Sequence, residues 1–323
     1  PQLRLWYPAR ISFDWKNELF SLDASRQVPE APLAAVARPL PVLLYFPGWG
    51  AKALDNRVLV AELVSQGFVV ATLTYPRRLP TQSDAEFQAQ LAEQAQPLDF
   101  SSEAAYSRTL ELGAVRVKQG ARDATAVLDA LQRLNRAEAG GRFSGRLDLQ
   151  KVGVFGHSFG GAVAAQTCRS DPRFAAALNL DGWLFGEVAE AGVPCAYLMM
   201  SDGSPLPTAE DLLSADPSWR YTAQLTSMDY SRTQANLKRL GGIYMSIQGS
   251  RHEHLSDSAW RNPLRRYGLS GGGLSGQRAG RLVQAYTLAF FRQTLQASPS
   301  PLLQPGDHSH PEVEVKVWPQ PGS

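Results

Sequence analysis

The pentapeptide Gly156-His-Ser-Phe-Gly160 restricts the fold of this chain more than any other segment. It directly follows the apolar run 152–155 and directly precedes a stretch rich in Gly, Ala and Val, residues 160–168. A serine between glycines, at the point where a strand turns sharply into a helix, is typical of a nucleophile elbow. The pattern therefore predicts that Ser158 lies above a sheet edge, at a helix N-terminus that favours developing negative charge.

The same Gly-x-Ser-x-Gly pattern occurs a second time, as Gly268-Leu-Ser-Gly-Gly272. No apolar strand precedes it, and it lies in a segment of Gly and Ser that is typical of a loop. We therefore interpret Ser270 as a loop residue and Ser158 as the candidate nucleophile.

Short apolar runs alternate with helical patterns along most of the chain. The runs are nearly continuous, as expected of parallel strands buried on both faces, and they span residues 41–46, 68–73, 152–155, 174–180, 195–200 and 243–247. Helical patterns cover residues 56–66, 112–135, 160–168 and 281–295. This alternation predicts one α/β domain over residues 1–297, with an α/β-hydrolase fold, a mostly parallel central sheet and helices on both faces.

Segments outside this alternation are predicted as additions to the domain. Residues 3–7 read as a strand at the sheet edge, and residues 11–20 as its antiparallel neighbour. The polar segments of about 76–107 and 203–239 are predicted to be lid-like inserts. Residues 298–323 form a Pro-rich tail, in which alternating valines indicate a further edge strand.

Composition excludes several classes of function. The 32 basic residues nearly balance the 30 acidic ones, so no strong field selects nucleic acid. No apolar run reaches the roughly 18 residues that an integral membrane segment needs. The two cysteines, Cys168 and Cys195, form no CxxC pair, so neither structural zinc nor another cofactor is expected, while a bond between them stays open.

Cellular location and assembly are less constrained. The sequence begins at Pro1 and holds no signal peptide to read. We expect a secreted or periplasmic protein, with a cytoplasmic one as the alternative. The oligomeric state is left open.

A nucleophilic serine needs a general base, and the chain has five histidines. His157 lies inside the elbow, where its side chain is expected to point away from Ser158, and two further histidines lie in the polar tail. His252 and His254 follow the predicted strand 243–247, which is where this architecture places its base. Position alone leaves both open. A metal site built from His252-Glu-His254 lacks a third evident ligand.

Two aspartates compete for the role of the acid that orients the base. Asp181 ends the predicted strand 174–180, and Asp202 follows the next strand, 195–200. Both therefore lie at the carboxyl edge of the sheet, where ligand sites form. Spacing alone does not choose between them.

Three segments resemble the platelet-activating factor acetylhydrolase family of α/β hydrolases: Gly156-His-Ser-Phe-Gly-Gly-Ala162, Leu180-Asp-Gly-Trp183 and Gly249-Ser-Arg-His-Glu-His-Leu-Ser-Asp257. The N-terminal Leu-Trp-Tyr-Pro8 is also similar. The resemblance implies Ser158 as nucleophile, Asp181 as acid and His252 as base. It covers most of residues 1–295 and leaves the tail outside.

The resemblance also implies where the oxyanion hole lies. Phe159, directly after the nucleophile, supplies one backbone N–H, and Trp49 in the loop after residues 42–46 supplies the other. Pro47 stands where the family usually has His, which makes the geometry of this loop less predictable. Trp183 and Phe185, which follow the acid, are candidate substrate-binding residues, with core packing as the alternative.

These residues together predict a serine carboxylic ester hydrolase that works through an acyl-enzyme. The resemblance implies short acyl chains on a phospholipid or on another small ester, with transient contact to a lipid surface. The alternatives on the same fold are a polyester, lipid or dienelactone-type hydrolase and an acyltransferase. A non-catalytic binding protein is the alternative from a different class.

Overall fold

The computed structural model describes residues 2–9, 30–50, 55–74, 81–94, 96–261 and 273–320. Its centre is an eight-stranded sheet with the strand order β1-β3-β2-β4-β5-β6-β7-β8. The strands are β1 Gln2–Trp6, β2 Leu40–Phe46, β3 Val69–Thr74, β4 Leu147–His157, β5 Phe174–Leu180, β6 Ala196–Asp202, β7 Gly242–Ile247 and β8 Val313–Trp318. Among the described strands, the two outer ones, β1 and β8, pair antiparallel, and the inner pairs are parallel.

Helices connect these strands and cover the sheet. They are α1 Arg57–Ser65, α2 Asp84–Gln94, α3 Glu103–Arg136, α4 Phe159–Ser170, α5 Glu187–Ala191, α6 Pro217–Leu240, α7 Ser258–Arg261 and α8 Gly276–Gln296. Short 3-10 turns occur at Asp211–Leu213, His252–Leu255 and Pro301–Leu303. A mostly parallel sheet covered in this way is the predicted α/β-hydrolase architecture.

Alternating side chains of the inner strands divide the core into two layers. In β2, Val42 and Leu44 pack on one side, whereas Leu43 and Tyr45 pack on the other. The first side is covered by buried residues of α3, α4, α5 and α6, and the second by those of α1 and α8. Strands buried on both faces need apolar residues at every position, which explains the continuous apolar runs in the sequence.

Two helices differ from what the sequence pattern predicts. Helix α3 begins at Glu103, inside the predicted insert 76–107, because the Ser102 side chain accepts a hydrogen bond from the Ala105 amide and caps it. Helix α6 occupies much of the predicted insert 203–239, and its residues Leu225 and Leu237 belong to the core. In both segments the few apolar residues are separated by many polar ones, so the sequence pattern does not reveal the helix face that packs on the core. The predicted strand over residues 11–20 lies outside the described residues.

The C-terminal tail is bound to the sheet. Its alternating valines form β8, which pairs along its whole length with β7. Just before β8, the Glu312 carbonyl accepts a hydrogen bond from the Gln248 amide at 2.6 Å. The Glu312 carboxylate forms an ion pair with Arg278 of α8 at 2.8 Å, and this hydrogen bond lowers the pKa of Glu312 to about 2. The tail is therefore tied to both β7 and α8.

Cys168 and Cys195 form a disulfide bond that joins the end of α4 to the start of β6. The two residues are 27 positions apart in the sequence, with β5 and α5 between them. A cross-link of this length is expected to stabilise the fold by about 3.5 kcal/mol, mainly by restricting the unfolded chain.

We expect the Cys168→Ala/Cys195→Ala double variant to lower the free energy of unfolding by about 2–4 kcal/mol, measured by urea denaturation. Reduction of the unmodified protein should lower its stability by a similar amount and should leave the double variant unchanged. A double variant as stable as the oxidised protein would contradict a stabilising role for this bond.

Candidate active site

Ser158 occupies a strained turn between β4 and α4. Its φ of 55° lies in the left-handed region that residues with a Cβ rarely adopt. Two backbone hydrogen bonds of 2.8 Å hold the turn: the Ser158 amide donates to the Leu180 carbonyl, and the Ser158 carbonyl accepts from the Gly161 amide. Strain retained by such bonds is common at functional sites. Ser158 thus lies at the strand-to-helix elbow that the sequence predicts.

The glycines beside Ser158 allow the backbone to pack closely. A Cβ on Gly160 would collide with the Phe46 carbonyl oxygen at the end of β2, and a Cβ on Gly156 would collide with the backbone of Gly160. A Cβ on Gly182, directly after β5 and Asp181, would collide with the Ser158 carbonyl oxygen. Glycine at these positions is therefore what lets the ends of β2, β4 and β5 meet around Ser158.

Asp181 follows β5 directly and, like Ser158, has a positive φ, of 59°. Its amide donates to the Met200 carbonyl of β6 at 2.8 Å. Its carboxylate oxygen Oδ1 accepts hydrogen bonds from the Asp202 amide at 3.0 Å and from the Ser201 hydroxyl at 3.2 Å. The neighbouring strand thus orients this carboxylate and leaves its other oxygen, Oδ2, for a further partner.

That partner is His252, whose Nδ1 lies 2.7 Å from Oδ2 of Asp181. His252 begins the 3-10 turn after β7, and its side chain is 46% exposed, against 15% for Asp181. Ser158 and His252 line the same cavity. The structure thus brings together Ser158, Asp181 and His252, the three residues that the family resemblance implies.

The pKa values of this pair move in opposite directions. Burial alone lowers the pKa of His252, but the hydrogen bond and negative charge of Asp181, aided by Asp202 and Glu253, raise it above its ordinary value. Burial alone raises the pKa of Asp181, but the hydrogen bond and charge of His252 and the Asp202 amide hold it below its ordinary value. An ionised carboxylate beside an imidazole of raised basicity is the arrangement that favours proton uptake by the ring.

Asp202, the competing acid, does not contact the His252 ring through its carboxylate. That carboxylate accepts two hydrogen bonds of 2.9 Å from Ser204, one from its amide and one from its hydroxyl. Burial, and then the charge of Asp181, raise the pKa of Asp202. Asp202 therefore acts on the pair through its amide, which holds Asp181, and through its charge.

His254, the competing candidate for the base, and His157 of the elbow have other partners. The Arg251 amide donates to Nδ1 of His254 at 2.8 Å, within the 3-10 turn. The His157 ring lies against that of His252, with centroids 4.6 Å apart, and its Nε2 lies 3.1 Å from the His252 carbonyl oxygen. Burial, and then the charge of His252, lower the pKa of His157 to about 4. A neutral His157 thus donates to the backbone of His252 and supports its ring, a role that sequence reasoning missed because it treated His157 as part of the elbow.

Trp49 and Phe159 both lie near Ser158. Phe159 is the first residue of α4, so its amide is among those at the helix start that lack an acceptor within the helix. A Cβ on Gly48 would lie 3.3 Å from the Ser158 Cβ, which places the backbone beside Trp49 close to the serine. The two aromatic rings pack edge to face with centroids 4.8 Å apart. The residues predicted as oxyanion donors therefore both lie close to Ser158, and their role stays a prediction.

The Trp49 side chain also connects this loop to other elements. Its Nε1 donates to the Gln96 carbonyl at 2.6 Å, and the Arg116 guanidinium of α3 lies 4.2 Å from its ring centroid. Trp49 therefore lies near Ser158 and also contacts the segment 76–107 that the sequence predicts as an insert.

A cavity of about 720 Å³ opens beside Ser158. Trp183 and Phe185 line it, and both also pack in the core: Phe185 against Phe159 and Trp183 against Phe100. The cavity has polar walls as well, which the sequence analysis did not identify, from Thr226, Asp229, Tyr230 and Thr233 of α6 and from Glu314 and Lys316 of β8. The polar residues of α6 recur every three to four positions, and this spacing is the sequence signal that could have placed them on one helix face.

Within the described ranges, no group of three or more His, Cys, Asp or Glu side chains is arranged to hold a metal ion. Nor is any helix in those ranges long and apolar enough to cross a bilayer.

Comparison with known proteins identifies similar sequences and structures. The family described as platelet-activating factor acetylhydrolase, isoform II matches residues 25–199, which hold Ser158 and Asp181 and end before His252. Proteins named platelet-activating factor acetylhydrolase are 28% identical over 162 residues in Bos taurus and 27% identical over 165 residues in Gallus gallus. Each alignment covers 45% of this chain, and 35% and 39% of those relatives' lengths.

A guinea pig relative of the same name (Cavia porcellus) is 44% identical over 55 residues, or 16% of this chain and 13% of that protein. A ferulic acid esterase from Streptomyces cinnamoneus has a similar structure, with a TM-score of 0.61 and 25% identity over 88% of this chain and 76% of that one. The fold and the site define an α/β hydrolase. Because the family match spans more than half of its length, the chain belongs to the platelet-activating factor acetylhydrolase, isoform II family.

We expect Asp202→Asn to lower the pKa of His252, because the substitution removes a negative charge that favours the protonated ring while keeping the amide that holds Asp181. The measurement is a pH titration of the histidine ring signals by NMR. Asp148→Asn, at the start of β4, removes an equal charge away from the site and should leave the titration unchanged. A pKa that rises in Asp202→Asn would contradict the proposed electrostatics.

Proposed function

We propose that this protein is a serine carboxylic ester hydrolase in which Ser158, His252 and Asp181 form the catalytic triad. The observation that carries the proposal is the convergence of a strained elbow serine and a 2.7 Å carboxylate–imidazole pair on one cavity. Membership of an acetylhydrolase family and the similarity to an esterase structure support the same reaction class.

In the first step the Ser158 hydroxyl attacks the carbonyl carbon of the ester. Nε2 of His252 takes the hydroxyl proton, and then gives it to the departing alcohol oxygen. Asp181 holds the proton on Nδ1, which keeps Nε2 able to accept, and stabilises the charged ring. Water then gives a proton to Nε2 of His252 as it attacks the acyl carbonyl carbon. The bond from that carbon to the Ser158 Oγ breaks, His252 returns the proton to Oγ, and the carboxylic acid leaves.

The negative charge on the carbonyl oxygen needs donors that are in place before the reaction. We assign this role to the amide of Phe159, the residue directly after the serine, and to that of Trp49, whose neighbour Gly48 lies beside it. The start of α4 adds its positive dipole end at the same point. The edge-to-face contact of the two rings and the Trp49–Gln96 hydrogen bond support the position of the Trp49 amide.

The substrate proposed first is an ester with a short acyl chain, including a short-acyl phospholipid, because the family's relatives are named acetylhydrolases. The similarity to a ferulic acid esterase favours, as a second candidate, an ester with an aromatic acyl group, for which Trp183 and Phe185 supply aromatic walls. Long-chain lipid esters, polyesters, dienelactones and acyl transfer are the remaining reactions that this site chemistry allows.

We further propose that the protein works in an oxidising compartment, as a secreted or periplasmic protein. The Cys168–Cys195 disulfide supports this, since such bonds persist mainly outside the cytosol.

Ser158→Ala should lower kcat/KM for p-nitrophenyl acetate by about 10⁴-fold or more and abolish labelling by a fluorophosphonate, because the nucleophile is lost. Asp181→Asn should lower kcat by roughly 10³- to 10⁴-fold, whereas Asp202→Asn should cost less than about tenfold. Ser270→Ala, in the second Gly-x-Ser-x-Gly segment, is the matched control and should keep both activities. Persistent labelling of Ser158→Ala, or equal losses in the two aspartate variants, would overturn the assignment.

Acyl-chain length should separate the candidate substrates. With p-nitrophenyl esters from acetyl to palmitoyl, we expect kcat/KM to be highest at acetyl or butyryl and to fall steadily beyond them. An acetylated phospholipid and a polyester film complete the panel. A maximum at long chains, or faster release from the film than from soluble short esters, would replace the short-acyl proposal with a lipase-type or polyesterase function.

A further inference from the structure

Helix α6 presents a row of polar side chains to the cavity. Thr226, Asp229, Tyr230 and Thr233 all line it, at intervals of three and four residues, which places them on one face of the helix. Nothing in the reaction proposed above uses these groups. Two of them, Asp229 and Thr233, are buried and have hydrogen-bonding capacity that the protein leaves unused.

Asp229 is only 6% exposed, and the Leu184 amide donates to its Oδ1 at 2.8 Å. Among the described residues, the Leu184 amide is the one hydrogen-bond partner of the Asp229 carboxyl group. Burial, and then the charge of Asp181, raise the pKa of Asp229 to about 7. A carboxyl group in this state is neutral in a large fraction of molecules near neutral pH, and it then offers both a donor and an acceptor.

Thr233 lies one helical turn after Asp229 and is 2% exposed. Its hydroxyl is buried without a hydrogen-bond partner in the described structure. Threonines elsewhere in α6 bond to the carbonyl four residues earlier, as Thr226 does with Thr222 at 2.9 Å. A buried hydroxyl without a partner is costly, so a group that enters the cavity and bonds to it gains the interaction that the protein lacks.

The charges around this face disfavour an anion. Asp181, Asp202 and Glu314 line the cavity, and Lys316, the one lysine among the described residues that line it, is 3.0 Å from Glu314 in an ion pair. Arg232, on the same helix as Asp229, forms an ion pair with Glu190 at 2.6 Å. The aromatic side chains Trp183 and Phe185 line the same cavity. A flat or apolar body with one uncharged polar group therefore fits these walls.

We propose that Asp229 and Thr233 form a polar subsite that binds a hydroxyl group on the substrate, so that the preferred substrates are uncharged esters whose acyl or alcohol part carries a hydroxyl at a distance from the ester bond. A hydroxyl can donate to one of these groups and accept from the other. This proposal rests on the ester hydrolase function proposed above and deepens it, because it names a feature of the substrate.

Two pairs of esters that differ by one hydroxyl test the subsite: methyl cinnamate with methyl 4-hydroxycinnamate, and phenyl acetate with 4-hydroxyphenyl acetate. Each rate is divided by the second-order rate constant for hydroxide-catalysed hydrolysis of the same ester, measured at pH values where the phenol is still neutral, which removes the electronic effect of the substituent. We expect the hydroxylated ester to have a kcat/KM about tenfold higher or more in at least one pair.

Thr233→Val is the decisive variant, because valine has nearly the same shape and the lost hydroxyl has no partner to abandon. We expect it to fold as stably as the unmodified protein and to reduce the hydroxyl preference toward 1; because the preference is a ratio of two esters, any change in kcat/KM common to both cancels. Asp229→Asn, which can still accept from Leu184 and can donate as the neutral acid does, should keep most of the preference. Thr226→Val, on the same face, controls for general changes in the cavity wall and should leave the preference intact.

Three results would overturn the subsite: a preference below about twofold in both pairs, a preference that Thr233→Val leaves intact, or a higher kcat/KM for methyl 4-trimethylammoniocinnamate than for its neutral isostere, methyl 4-tert-butylcinnamate. The last would assign the acidic wall to a cation. Hydrolysis of the unsubstituted esters that disappears in Ser158→Ala keeps the proposed function whatever the hydroxylated pairs show, so failure of the subsite and failure of the function are distinguishable.

Discussion

The close approach of backbone segments at three glycines is the constraint on which the rest of the site depends. Gly156, Gly160 and Gly182 allow the ends of β2, β4 and β5 to meet where no Cβ would fit. The Ser158 turn and the Asp181 turn are thereby joined, and both residues adopt a left-handed backbone. Such strain persists only when the surrounding structure holds it. Here the Ser158 and Asp181 amides donate hydrogen bonds to the carbonyls of Leu180 and Met200, and these bonds hold the two turns.

The sequence predicts the sheet and the elbow well because their signals are local. Continuous apolar runs mark strands buried on both faces, and the order strand, Gly-x-Ser-x-Gly, small-residue helix leaves Ser158 as the candidate. Elimination among the histidines leaves His252 and His254 as candidates for the general base, and only the family resemblance favours His252. The 2.7 Å contact between His252 and Asp181 joins residues that are 71 positions apart in the sequence, and no periodic pattern predicts a contact across such a separation.

The parts that the sequence hides are faces built from few residues. Helix α6 is so polar overall that its sequence predicts an insert rather than a core helix. In the structure, however, Leu225 and Leu237 pack in the core, and Asp229 and Thr233 line the cavity. The support of His252 by His157 is hidden for a related reason. His157 lies in the Gly-x-Ser-x-Gly motif, whose pattern is explained by the glycines and the serine alone. The contact between the His157 and His252 rings forms only when the loop after β7 folds onto the elbow.

The strand at the C-terminal end of the chain has a consequence for how copies of this protein meet one another. An outer strand exposes backbone groups that another strand can pair with, and long apolar edges lead to aggregation. In β8 the charged residues Glu314 and Lys316 alternate with valines, and Pro319 follows directly. Charge and proline at an edge oppose pairing between molecules. The tail thus protects the sheet against edge-to-edge association while it contributes to the wall of the cavity.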